Sequence, residues 1–61
     1  MDKTIFKKYE GQFVKITIKP NDFTLYGQID AVFDDCIEFR TDQKTSYLSF
    51  SNITSLVSWE A

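Results

Sequence analysis

The sequence contains few side chains that could carry out covalent chemistry. Asp34 and Asp35 are adjacent carboxylates, but general acid–base catalysis would also need a cleft and a partner residue. Paired Asp residues are also typical of turns, which is the interpretation we favour. Cys36 has no basic neighbour in sequence to stabilise a thiolate, so we expect a small buried apolar residue. With no histidine and only two glycines, the sequence predicts no enzyme, no catalytic residue, no metal site and no cofactor.

Positive charge is concentrated near the start of the sequence. Residues 1–20 contain five lysines and two carboxylates, whereas residues 21–61 contain two cations and seven carboxylates, and the net charge is −2. An acidic chain is poorly suited to nonspecific nucleic-acid binding. A local lysine face could still bind phosphates, and Lys3, Lys7 and Lys8 are the candidates. The alternative is an ordinary solvated helix face.

Three aromatic residues are candidates for binding or assembly. Tyr26 and Tyr47 lie opposite the main apolar stripes of their strands, where they could stack on bases or on a proline-rich peptide. They could equally pack across strands or at a subunit contact. Trp59 is expected to pack against the helix or against a neighbouring subunit.

The periodicity predicts one domain over residues 1–61. Ile5 and Tyr9 have helical spacing over about residues 3–9, and Gly11 is a plausible stop. The apolar period then changes to two, with Leu25, Gly27, Ile29 and Ala31 expected on one face of the second strand, and with Ile53, Ser55 and Val57 on one face of the last. The predicted strands cover about residues 12–19, 23–33, 36–40, 45–50 and 53–59.

The predicted fold class is all-β. Five bent strands in about 50 residues suit a small closed or nearly closed barrel, because a flat sheet would expose one face and two edges. No apolar run is long enough for a membrane helix, and the N-terminus lacks the apolar core of a secretory signal. We therefore expect no membrane partner and a cytoplasmic location.

The layout from about Ile5 to Ser58 resembles the Sm-like family, which includes the spliceosomal Sm proteins and the Hfq RNA chaperones. The stretch Gly27–Val32, followed by Cys36 and Ile37, is similar to the first family motif, and Leu48–Ile53 is similar to the second. The resemblance implies a five-stranded SH3-like/Sm-like barrel with a short N-terminal helix. It also implies rings of five to eight subunits, in which the fourth strand of one subunit pairs with the fifth of the next.

The residues that bind uridine in this family are not found at the matching positions. The base-stacking position is Asp35, the base-reading Asn is Ile37, and the Arg of the second motif is Ser49. A carboxylate offers neither a flat stacking surface nor positive charge. Two functions therefore remain: an Sm-like ring that binds single-stranded RNA through Lys3, Lys7, Lys8, Tyr26 and Tyr47, or a protein-interaction or assembly module with a protein or peptide partner. In either case the resemblance predicts a homo-oligomer with a subunit interface formed by Tyr47, Leu48, Phe50, Ile53, Leu56 and Trp59.

Overall fold

One short helix and five antiparallel strands form the described part of the chain, residues 2–59, in a computed structural model. This order confirms the mostly β fold with a short helix. The last predicted residue of several elements lies outside them: Tyr9 caps the helix, and Phe50 begins a 3₁₀ turn. The elements are α1 (Lys3–Lys8), β1 (Phe13–Ile18), β2 (Phe23–Val32), β3 (Cys36–Arg40), β4 (Thr45–Ser49), the 3₁₀ turn (Phe50–Asn52) and β5 (Ile53–Ser58).

A single buried aromatic residue docks helix α1 on the sheet. The Asp2 carboxylate caps the helix by accepting a hydrogen bond from the Ile5 backbone N–H, and Gly11 reverses the chain with a φ of 83°. Phe6 is fully buried, and its ring stacks on Phe50 with a centroid distance of 4.5 Å. Six residues are too few for a stable isolated helix, so this burial holds α1 in place.

Strand β2 divides its pairing between two neighbours in a sheet of order β4-β3-β2-β1-β5. Its first half pairs with β1 and its second half with β3, and Gln28 lies opposite both Phe13 and Arg40. A Cβ atom on Gly27 would lie 2.4 Å from the Arg40 carbonyl oxygen. The close approach of β3 to β2 therefore requires glycine at this position.

A bulge in β2 changes which residues face the core. The register shifts between Ile29 and Ala31, so that Asp30 is the extra residue. Val32 is therefore buried, whereas Ala31 pairs with Glu38 and is only half-buried. The expectation that Ala31 shares a face with Ile29 is wrong, because an inserted residue shifts the alternation of side chains between the two faces of the sheet.

Strand β5 contains a similar shift beside β1. Thr17 pairs with Ser55, but Ile18 pairs with Ile53. Ile53 is buried and Leu56 packs against the core, while Val57 is exposed. The prediction that Ile53, Ser55 and Val57 share one face is therefore wrong between Ile53 and Ser55, where the register shifts.

The core of the described residues is entirely apolar. It contains no buried polar or charged residue among residues 2–59 and includes Phe6, Val14, Ile16, Ile29, Val32, Ile37, Phe39 and Ile53. Strands β4 and β5 are the two edges of the sheet, so the predicted closure into a barrel is not present as a hydrogen-bonded ring of strands. The one helix of residues 2–59 is too short to cross a membrane.

We predict that Gly27→Ala lowers the free energy of unfolding by roughly 3 kcal/mol, at the upper end of the usual range for overpacking, because the new methyl group meets backbone. Gly11→Ala is the control. Its Cβ would have no atom within 4 Å, and only the positive φ opposes it, at about 1–2 kcal/mol. Chemical denaturation gives both free energies, and amide exchange locates the change. Gly27→Ala should speed exchange in β3 more than Gly11→Ala does; equal exchange in the two variants would contradict the assigned close approach.

Candidate functional site

A concave surface lies on the outer face of the sheet. We call it the aromatic groove, and its volume is about 640 Å³. Phe13 comes from β1, Tyr26 from β2, and Trp59 follows β5; these three aromatic residues remain about half exposed at 57%, 50% and 47%. The other lining residues are Gly27, Gln28, Arg40, Thr41 and Asp42.

The strand register explains why these aromatic side chains meet. Phe13 pairs with Gln28, and Lys15 pairs with both Tyr26 and Val57. The Trp59 backbone N–H donates to the Phe13 carbonyl at 3.0 Å, which extends the β1–β5 pairing by one residue. The Tyr26 and Trp59 rings lie 5.0 Å apart, with their planes tilted by 59°.

A chain of polar contacts fixes Arg40 at one side of the aromatic groove. Its Nε lies 3.1 Å from the Asp30 carboxylate, and Nη2 donates to the Gln28 side-chain oxygen at 2.9 Å. The Gln28 amide nitrogen in turn donates to the Gly11 carbonyl at 3.1 Å. The guanidinium is therefore held in one orientation, and a carboxylate already offsets its charge.

Two of the three helix lysines are engaged in ion pairs. Lys3 donates to the Asp34 carboxylate at 2.8 Å, and Lys7 lies 3.8 Å from a carboxylate oxygen of Glu10. The hydrogen bond from Lys3, together with its charge, lowers the pKa of Asp34. Both pairs are solvent-exposed and so contribute little stability, but each places an acidic group beside a predicted phosphate-binding lysine.

Tyr47 lies in a second aromatic patch, which we define as Phe33 and Tyr47. Their ring centroids are 6.4 Å apart, and Tyr47 is 66% exposed. Tyr26 and Tyr47 therefore belong to separate clusters, so the predicted RNA-binding set of Lys3, Lys7, Lys8, Tyr26 and Tyr47 does not come together as one surface.

The predicted interface residues have very different exposures within a single chain. Ile53 is 4% exposed in the core, and Leu48, Phe50 and Leu56 pack against that core. Tyr47 and Trp59 are the two members of the set with large exposed side chains. The subunit interface itself remains a prediction.

The chemically reactive candidates lie around the connection from β2 to β3. Asp34 and Asp35 occupy this connection, and the Asp35 carbonyl accepts from the Phe50 N–H at 2.9 Å. Cys36 is half-buried on the outer face rather than in the core, because the inward positions of β3 belong to Ile37 and Phe39. Burial and the neighbouring Asp35 carboxylate raise the pKa of the Cys36 thiol, which opposes thiolate formation.

Six groove residues are not among the candidate site residues that the sequence predicts: Phe13, Gln28, Arg40, Asp42, Gly27 and Thr41. Counting the residue pairs of the β1–β2 hairpin could have identified Phe13 and Gln28, since a turn between Ile18 and Phe23 places them opposite each other. Arg40 joins them only through the bend of β2 and its bulge. Among residues 2–59 the structure shows no group of three or more His, Cys, Asp or Glu side chains that could hold a metal ion.

No protein-family model matches this chain, and no curated protein sequence matches it. The fold and its surfaces are therefore the basis for assigning a function.

Proposed function

We propose that this chain is a non-enzymatic protein-interaction module that assembles with copies of itself, with β4 of one subunit pairing with β5 of the next. The observation that carries this proposal is the open sheet, whose two edges are β4 and β5 within the described residues. Each edge leaves backbone N–H and C=O groups able to pair with another strand. The resemblance to Sm-like proteins, whose rings use the same two strands, supports this arrangement.

The lengths and flanking side chains of the two edges are compatible with such pairing. Strand β4 has five residues and β5 has six, so one edge can pair along the whole of the other. Tyr47 on β4 and Val57 on β5 are exposed, largely apolar side chains that such pairing would bury. A chain of 61 residues without an internal disulfide also gains most from such a partner, because its own core is small.

Binding of single-stranded RNA is a second candidate function, favoured by the exposed basic end of α1. Lys7 and Lys8 occupy the last helical turn, and a ring would repeat this pair in every subunit. The ion pair of Lys7 with Glu10 and the net charge of −2 both disfavour binding to phosphates, so RNA binding ranks below assembly.

The assembly proposal predicts a concentration-independent mass that is a multiple of 7.1 kDa, measured by light scattering after gel filtration. Ser46→Pro and Tyr47→Pro form a matched pair, because adjacent residues of a strand direct their N–H groups to opposite sides. The substitution that removes an N–H directed at β3 should disturb the pairing of β4 with β3 and lower the melting temperature. The substitution that removes an N–H at the free edge of β4 should leave the subunit folded but reduce the measured mass toward that of the monomer.

Two results would contradict this assembly. The first is a wild-type chain that stays at 7.1 kDa across the concentration series. The second is a folded edge-proline variant that keeps the wild-type mass. In the first case the aromatic groove would remain available as a binding site of a monomeric module, and in the second the copies would assemble through a different contact.

The RNA candidate predicts that a uridine-rich or adenine-rich oligonucleotide binds with an affinity that falls steeply as salt rises. Lys7→Glu/Lys8→Glu should weaken binding and reduce the slope of log affinity against log salt by about 0.7 for each phosphate that the protein no longer neutralises. Lys19→Glu/Lys44→Glu carries the same charge change away from the helix and serves as the control. Absence of binding at low salt, or an equal decrease in affinity for both double variants, would reject α1 as the RNA site.

A further inference from the structure

The aromatic groove has the shape of a site for puckered rings rather than for a continuous stack of bases. The Tyr26 and Trp59 rings contact each other at a tilt of 59°, so the faces that they present to solvent are not parallel. A continuous stack of bases needs successive flat surfaces that are close to parallel. A proline ring is not planar and packs against aromatic rings that are tilted to one another, as in aromatic-lined grooves that recognise extended proline-rich segments.

The free polar groups of the groove aromatics are hydrogen-bond donors. The indole N–H of Trp59 and the hydroxyl of Tyr26 form no hydrogen bond with another side chain or backbone group in residues 2–59. A polyproline segment has few or no N–H groups, and its carbonyl oxygens are free to accept. The groove therefore offers hydrogen-bond donors to a segment whose backbone has mainly acceptors.

The charges that line the groove favour a basic ligand over a phosphate chain. Arg40 is paired with Asp30, and Asp42 adds a further carboxylate to the lining. Lys15 lies on the same sheet face beside Tyr26, but it does not line the groove. The local balance is thus not positive, and a lysine or arginine of a ligand would find a counterion in Asp42.

We propose that the aromatic groove binds an extended, proline-rich segment of another protein that carries an arginine or lysine next to the prolines. The prolines pack against the exposed surfaces of Tyr26, Trp59 and Phe13, while Asp42 pairs with the basic side chain. This site goes beyond the proposed self-assembly, because the lining side chains lie on the face of the sheet and none of them comes from β4.

The single tryptophan of the chain allows a direct binding measurement. We expect Trp59 fluorescence to change saturably when the full chain is titrated with a synthetic proline-rich decapeptide that contains one arginine. Tyr26→Leu should weaken binding about tenfold, as expected for loss of an aromatic anchor. Phe33→Leu removes an exposed aromatic residue that lines neither the groove nor the proposed strand contact, and it should bind like the wild type.

Two matched comparisons test the role of charge. Asp42→Asn should reduce the preference for the arginine peptide over its glutamate counterpart, whereas Asp22→Asn, in the β1–β2 turn, should not. Replacement of the prolines by alanine in the peptide should abolish the fluorescence change. Circular dichroism of each variant confirms that the sheet is intact.

Four results would overturn the proposal. They are no saturable signal up to millimolar peptide, equal binding of the alanine peptide, tighter and salt-sensitive binding of a uridine or adenine decamer, and a lower oligomeric mass of Tyr26→Leu. The third would make the groove a stacking surface for RNA, and the fourth a contact between copies. Light scattering of the wild type separates these results from failure of the assembly proposal.

Discussion

The absence of a side chain at Gly27 is the constraint on which the arrangement of this sheet depends. The Arg40 carbonyl oxygen occupies the space that a Cβ would need, so β3 can cross close to β2 at this point. This approach places Arg40 opposite Gln28, where the two side chains share a hydrogen bond. The same contact shapes one wall of the aromatic groove and lets β2 divide its pairing between β1 and β3.

The two proposed activities use different parts of one small sheet. Self-assembly would use backbone groups at the edges, whereas peptide binding would use side chains on the outer face of β1 and β2. Trp59 connects the two, since it follows the edge strand β5 and packs on Tyr26. A subunit joined through β5 would therefore have its groove beside the assembly contact. This proximity offers a physical route by which assembly could order the groove.

The sequence predicts the elements well because its periodicity and its turns are local signals. The helix, the five strands and the exposure of Tyr47 all follow from spacing along the chain. The inserted residue Asp30 is different, because a bulge depends on how β2 meets β3, and the burial of Val32 follows from it. The groove shows the same limit: Tyr26 stands out in the sequence, but its contact with Trp59 depends on β5 lying beside β1. The paired state of Lys3 with Asp34 joins residues 31 positions apart, and no local pattern reveals it.

The apolar core and the missing histidines determine how this protein responds to acidity. The 61 residues contain no side chain that ordinarily titrates between the carboxylates and the thiol. Because its pKa is lowered in the folded state, ionised Asp34 stabilises the fold at any pH above the pKa that it has in the unfolded chain. This contribution disappears as the pH falls through the pKa of the folded state. The raised pKa of Cys36 acts at the alkaline end, where its contribution disappears as the pH rises through the folded pKa. Both shifts move these two groups further from neutral pH, so neither Asp34 nor Cys36 makes the stability of the module depend on pH in the neutral range.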